Sequence, residues 1–202
     1  MNAPATGRVI MLVGTSSAGK STLARAIQAA APEHFLLQSL DGLFAGVADR
    51  WGSQGDHRDD GFRYQADGDI RRVVYGPAGW RLLQGFHRAV DAYARAGCNV
   101  VVDDMLLDAA CLADWAEALG GLPVTLVRLS APLDELRRRE GARPHGRVPG
   151  LAEGHLLTHA GLAADLSLDT SAHSPAEMAA TVVEWPPGKA LGLYRDAAVR
   201  ST

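Results

Sequence analysis

An α/β fold is predicted for this 202-residue chain: a five-stranded parallel sheet sandwiched by helices, in one domain over residues 1–202. Three observations carry it. Gly14-Thr15-Ser16-Ser17-Ala18-Gly19-Lys20-Ser21 fits the pattern G-x-x-x-x-G-K-[ST] at every fixed position, between an apolar run and an Ala/Leu-rich segment. Five short apolar runs alternate with helical segments, and no internal repeat appears. Two of those runs end in aspartate, at Asp41 and at Asp103-Asp104. In an open α/β sheet that is the ligand-binding edge.

Residues Met1 to Gly7 read as a disordered lead, and Arg8 to Val13 as a first strand buried on both faces. The glycines of the next stretch let the backbone curl until its amides point at phosphate oxygens. The helix from Thr22 to about Ala31 adds its positive end to the same site. Gly14 to Thr22 are thus assigned to nucleotide phosphate, with Lys20 reaching the β- and γ-phosphates and Ser21 a ligand of Mg²⁺. Pro32 stops the helix, and His34 to Leu40 form the second strand.

Residues 42–76 are rich in Gly, Asp and Arg and longer than a normal connector, which predicts either disorder or an acceptor-covering insertion. The interspersed Phe44, Trp51, Phe62, Tyr64 and Tyr75 favour a cover with an aromatic underside. Pro77 opens a helix to about Ala96, with Trp80, Leu83, Phe86 and Val90 near helical spacing. Asn99 to Val102 form the third strand, ending in Asp103-Asp104. Either member of that pair is expected beside Mg²⁺, the alternative for one of them being a cap of the next helix.

Ala109 to Leu119 follow as a helix, and Val124 to Leu129 as the fourth strand. A helix from Pro132 then carries Arg137, Arg138 and Arg139 toward the turn of Arg143 and Arg147. Residues 137–147 read as an arginine lid: Arg137 and Arg138 face solvent, while Arg139, Arg143 and Arg147 sit where the helix dissolves into a Gly/Pro turn. Guanidinium groups there can bind phosphate oxygens two at a time. Leu151 to His159 form a further helix and Asp165 to Thr170 the fifth strand. Ser174-Pro175-Ala176-Glu177 is a capping-box helix start, and 184–202 is a tail with no legible chemistry.

A hydrophobic content of 47%, 21% charged residues and a net charge of −3 argue against a general nucleic-acid binder. No apolar run reaches the length of a membrane span, and Cys98 and Cys111 read as reduced, buried thiols, so a cytoplasmic protein is expected.

The phosphate loop, Leu40-Asp41-Gly42-Leu43, Val100 to Asp104, Arg139 to Arg147 and the turn Asp169-Thr170-Ser171 together resemble chloramphenicol phosphotransferase, over roughly residues 8–182. The resemblance implies a P-loop kinase core of the nucleoside-monophosphate-kinase type, using ATP and Mg²⁺ to phosphorylate a hydroxyl of a small antibiotic. It implies Asp41 as catalytic base, Lys20 and Ser21 as phosphate and Mg²⁺ ligands, and Arg139 and Arg143 as lid arginines. Arg143-Pro144-His145-Gly146-Arg147 departs from the family's usual Arg-Gly-Asp-Arg turn by one residue. Two further readings stand beside an antibiotic kinase: a kinase of a primary metabolite (a sugar acid, polyol or nucleotide) and a nucleotide-dependent switch. The last is not a guanine-specific one, since Asn-Lys-x-Asp is absent.

Overall fold

The computed structural model describes residues 6–144, 146 and 148–199, those of 195–199 without side chains. Strand β1 (Val9–Val13) runs through the centre, followed by α1 (Lys20–Ala30), β2 (Phe35–Ser39) and α2 (Leu40–Ala45). A hairpin, β3 (Phe62–Asp67) and β4 (Ile70–Tyr75), precedes the long α3 (Pro77–Arg95). Then come β5 (Asn99–Asp104), α4 (Ala109–Ala118), β6 (Val124–Ser130) and α5 (Leu133–Gly141). Two one-turn helices, α6 (Leu151–Gly154) and α7 (Leu156–His159), lead to β7 (Leu166–Asp169), α8 (Pro175–Glu184) and α9 (Ala190–Val199).

The main sheet is parallel throughout, in the order β2-β5-β1-β6-β7. All five carboxyl ends therefore meet at one edge. The unbroken apolar character of β1 is explained by its central place, where a strand has no polar face to offer. On one face Ile10, Leu12, Val101 and Val127 pack against Leu23, Ala24 and Ile27 of α1 and Met178, Ala179 and Val182 of α8. On the other, Met11, Val13, Val100 and Val102 pack against Leu83, Phe86 and Val90 of α3 and Trp115 of α4.

Residues 42–76 differ from the sequence reading in holding a regular hairpin. Its two-residue turn begins at Gly68, whose φ of 56° a side chain would resist, and Asp67 pairs with Ile70 across it. The stretch before the hairpin docks on α3 by main chain: Ala78 and Gly79 both donate to the Asp60 carbonyl, and Ala78 is also within reach of its carboxylate. A Cβ on Gly79 would stand 2.4 Å from the Gly61 carbonyl oxygen, so only glycine allows this approach.

Four further expectations are corrected. Leu151 to His159 is broken into two short helices rather than one. The tail is organised: the Asp165 carboxylate accepts hydrogen bonds from Leu126, Lys189 and Ala190 amides, pinning the start of α9 to β6, and Ala190 and Leu191 are buried. Gly7, read as part of a disordered lead, donates to the Ala94 carbonyl and is buried, while residues 1–5 lie outside the described residues. Cys111 is buried in α4 but Cys98 is exposed, and both are free thiols.

Among the described residues, three histidines lie in the interior. His87 of α3 meets Asp114 of α4 at 2.5 Å, and its ring stacks within 4.0 Å of the Trp115 ring. The ring of His155 accepts at Nε2 from the Val73 amide, while neither ring nitrogen of His159 has a hydrogen-bond partner among the described residues. Burial lowers all three, His155 and His159 to about 4. In the unfolded chain they titrate near the ordinary value, roughly 6.5. As pH falls from there the unfolded state takes up protons first, so stability present above that value is lost progressively toward about 4. Thermal melts are expected to drop in Tm between neutral pH and pH near 5, and His159→Leu to flatten the slope; an unchanged slope in the variant would clear His159 of a part in it.

Candidate active site

The site is built where β1, β2, β5 and β7 end. After β1 the chain turns through Gly14, whose added Cβ would lie 2.7 Å from the Leu129 carbonyl oxygen, and Ser17 and Gly19 adopt φ of 64° and 91°. The first bond of α1 runs from the Leu23 amide to the Gly19 carbonyl, which leaves the amides of Lys20, Ser21 and Thr22 open at the helix start. Thr15, Ser16, Ser17 and Ala18 are buried, and Ser16 and Ser17 line the two cavities beside the loop. The Lys20 ammonium donates to the carbonyls of Gly14 (2.9 Å) and Thr15 (3.0 Å), bracing the loop with two of its three protons. Burial lowers its pKa, opposed by the carboxylates of Asp103, Asp41 and Asp104.

The two aspartates closing β5 point to opposite faces, as successive strand residues must. Asp103 lies in register with Leu12 and accepts from the Ser21 hydroxyl at 2.5 Å. Asp104 lies in register with Val13, is 3% exposed, and uses both oxygens internally: one for the Leu106 amide (2.8 Å), one for the Trp115 indole (2.6 Å). Asp41 is not the last residue of a strand but sits in the first turn of α2, whose cap is Ser39, with its hydroxyl accepting from the Gly42 amide at 3.0 Å. It is exposed toward the same edge.

Two cavities open on either side of the loop. One, of about 390 Å³, is walled by Ser17, Gly19 to Leu23, Arg139, Arg143, Thr170, Pro175 and Met178. The other, of about 460 Å³, has Asp41, Asp103, Phe44, Tyr64, Val73 and Met105 among its walls. Lys20, Ser21 and Arg143 line both. Arg139 is held in the first by Glu135, which takes its Nε at 2.7 Å, and by the Thr170 hydroxyl and carbonyl at 2.8 and 3.0 Å. The exposed Arg143 stands between the two, and Arg147, the third arginine expected here, lies outside the described residues.

Of the aromatics expected beneath a cover, Phe44, Phe62 and Tyr64 do line cavities, with Phe44 and Phe62 edge to face at 4.8 Å. Burial, and then the Asp41 charge, raise the Tyr64 phenol. Trp51 instead stacks on His57, and Tyr75 stacks on Trp80 and donates to Asp108 at 2.6 Å. Sequence reasoning did not single out Met105, Val148 or Leu151 as walls, nor Pro175 and Met178. Thr170, on the turn after β7, was legible only as part of the family resemblance.

Comparison with known proteins identifies the family and the fold. The family model described as "Chloramphenicol phosphotransferase-like protein" matches residues 7–185. A Mycobacterium tuberculosis protein named "Putative O-phosphotransferase Rv2636" is 31% identical over 179 residues, 86% of this chain and 79% of its own length, and its counterpart in a second strain matches equally. Among solved structures, a sugar kinase from Janibacter superposes with a TM-score of 0.63 (19% identity; 89% of this chain, 94% of the other). Mycobacterium tuberculosis APS kinase CysC gives 0.62 (17%; 90% and 98%), and the Deinococcus radiodurans tunicamycin resistance protein 0.59 (16%; 87% and 93%). The chain belongs to the chloramphenicol phosphotransferase-like family, and it is a phosphotransferase enzyme with the fold of the small-molecule P-loop kinases.

Proposed function

We propose that this enzyme moves the γ-phosphoryl group of ATP, with Mg²⁺, onto a hydroxyl of a small antibiotic of the chloramphenicol kind. The observation that carries the reading is that Lys20, Ser21 and Arg143 line two cavities at once. A phosphate donor held on the Arg139 side and a hydroxyl held on the Asp41 side would meet across those three groups.

In this mechanism the loop amides and the start of α1 hold the nucleotide phosphates, and Lys20 exchanges its carbonyl partners for phosphate oxygens. Arg139 and Arg143 stabilise charge on the transferring group, with Arg147 proposed beside them. Asp41, oriented by the capped start of α2, accepts the acceptor's proton as the oxygen–phosphorus bond forms. The hydroxyl–carboxylate pair of Ser21 and Asp103 suits Mg²⁺, which takes one or two protein oxygens and completes its shell with phosphate and water. Bound there, the ion would shield the phosphate charges. Asp104, with both oxygens engaged, is assigned to the scaffold.

Support for an antibiotic-sized acceptor comes from a further space of about 470 Å³, where Phe44, Val47, Phe62, Tyr64 and Val73 stand with the polar Asp49, Ser53 and Gln54. It shares Phe44, Tyr64 and Val73 with the Asp41 cavity. Its one arginine, Arg63, is already paired with Asp59 at 3.0 Å. A compact polyol or sugar acid would leave the aromatic part of this space unfilled.

The deciding experiment incubates purified protein with ATP, Mg²⁺ and a panel of phenicols, aminoglycosides, peptide antibiotics and common metabolites, watching by mass spectrometry for an added phosphate. A phosphorylated antibiotic is expected; a product only among metabolites would move the assignment to a metabolic kinase. Asp41→Asn should keep ATP affinity and lose transfer by roughly 10²–10⁴-fold, the scale of a lost general base, and near-normal transfer would reassign the base. Lys20→Ala should abolish turnover. Asp103→Asn should weaken Mg²⁺ dependence at unchanged Tm. Asp104→Ala should instead lower stability by roughly 3 kcal/mol through two stranded buried donors. Equal effects of the two on Mg²⁺ titrations would undo the division between them.

A further inference from the structure

The short run from Gly150 to His155 touches three separate walls of the site. On the phosphate loop, the Thr15 hydroxyl donates to the Ala152 carbonyl at 2.6 Å, a buried bond. On α5, the Glu140 carboxylate, 7% exposed, accepts from the amides of Gly150 (2.8 Å) and Ala152 (2.7 Å). Glu140 follows Arg139 directly and lies three residues before Arg143.

The third tie is to the hairpin. Alternate amides of a strand point to opposite edges, so those of β4 that do not face β3 need other partners. Arg71 donates to the Gly150 carbonyl at 3.1 Å, and Val73 donates to Nε2 of His155 at 2.9 Å. The run has no slack against that edge. A Cβ on Gly154 would lie 1.7 Å from the Arg71 carbonyl oxygen, and one on Gly150, at φ 84°, would lie 1.9 Å from that of Asp69. Val73 and Tyr64, on the paired strands, are walls of the proposed acceptor space.

We propose that His155 is a positioning residue for the acceptor wall, and that Gly150–His155 joins this wall to the phosphate loop and the arginine-bearing helix, so that nucleotide bound at the loop steadies β4. The second half rests on the nucleotide-site reading above; the first does not. The bond needs an unprotonated Nε2. Burial keeps the ring neutral, with Arg72 and Lys20 favouring the same state and the Leu107 carbonyl and Asp108 opposing it. The nearby His159, itself buried, also disfavours a second charge there.

Hydrogen exchange on the full-length protein tests both halves. Without ligand, His155→Leu is expected to speed exchange in residues 70–75 at least tenfold while β1 and β5 keep their protection. His155→Gln, whose side-chain oxygen can replace the acceptor, should restore most of it. Gly154→Ala, pressing on the Arg71 carbonyl, should loosen the same residues by another route. Unchanged exchange at 70–75 in a folded His155→Leu protein would overturn the positioning role, and so would loosening by His155→Leu that His155→Gln fails to reverse. AMP-PNP with Mg²⁺ should slow exchange at 70–75 in the parent and not in His155→Leu; equal slowing in both would overturn the coupling. Failure of the parent to bind AMP-PNP would count against both the nucleotide site and the coupling, and the ligand-free comparison would still decide the positioning role.

Discussion

Five parallel strands that end at one edge are the constraint on which everything at this site depends. Because β2, β5, β1, β6 and β7 run the same way, the phosphate loop, Asp103, the first turn of α2 and the Thr170 turn come together from distant parts of the sequence. Such a sheet has to be buried on both faces, which costs the chain its polar positions in the strands. Polar side chains then collect where strands stop. The phosphate loop occupies the most protected of those stops, after a strand with no exposed residue.

Face alternation divides labour between neighbours that look equivalent in sequence. Asp103 and Asp104 are consecutive, yet one meets Ser21 and the other meets Trp115. The same rule lets a carboxylate beside the candidate site serve the core. Asp104 ties the end of β5 to α4, next to the ring of His87 that leans on Trp115. Rigidity under the site and chemistry on top of it thus come from adjacent residues.

Much of this was legible because local pattern and global fold agree. Gly14 to Ser21 reads directly as a phosphate loop, and the apolar runs became the strands of the main sheet with ends shifted by a residue or two. The hairpin was missed for a physical reason: β3 buries only Phe62 and β4 only Val73, so neither shows the apolar content of a core strand. Its signal was the turn, Asp67-Gly68-Asp69, between segments of alternating character. The ties of Glu140, Thr15 and His155 leave no local trace at all. They join residues up to 137 positions apart, and each side chain looks ordinary until the partner backbone is in place. Asp41 was read as the end of a strand, and the Ser39 cap that starts α2 and puts Asp41 in its first turn was not seen.

The hairpin forms a sheet of its own, separate from the five strands, and is connected within that sheet by a two-residue turn. The wall it provides can therefore change shape without altering any strand pairing in the main sheet. Substitution of the exposed Tyr64 would alter this wall while the Lys20 bonds that brace the phosphate loop stay in place. A fold divided in this way lends itself to divergence: the phosphate loop and its sheet can stay fixed while the hairpin, the wall proposed for the acceptor, drifts.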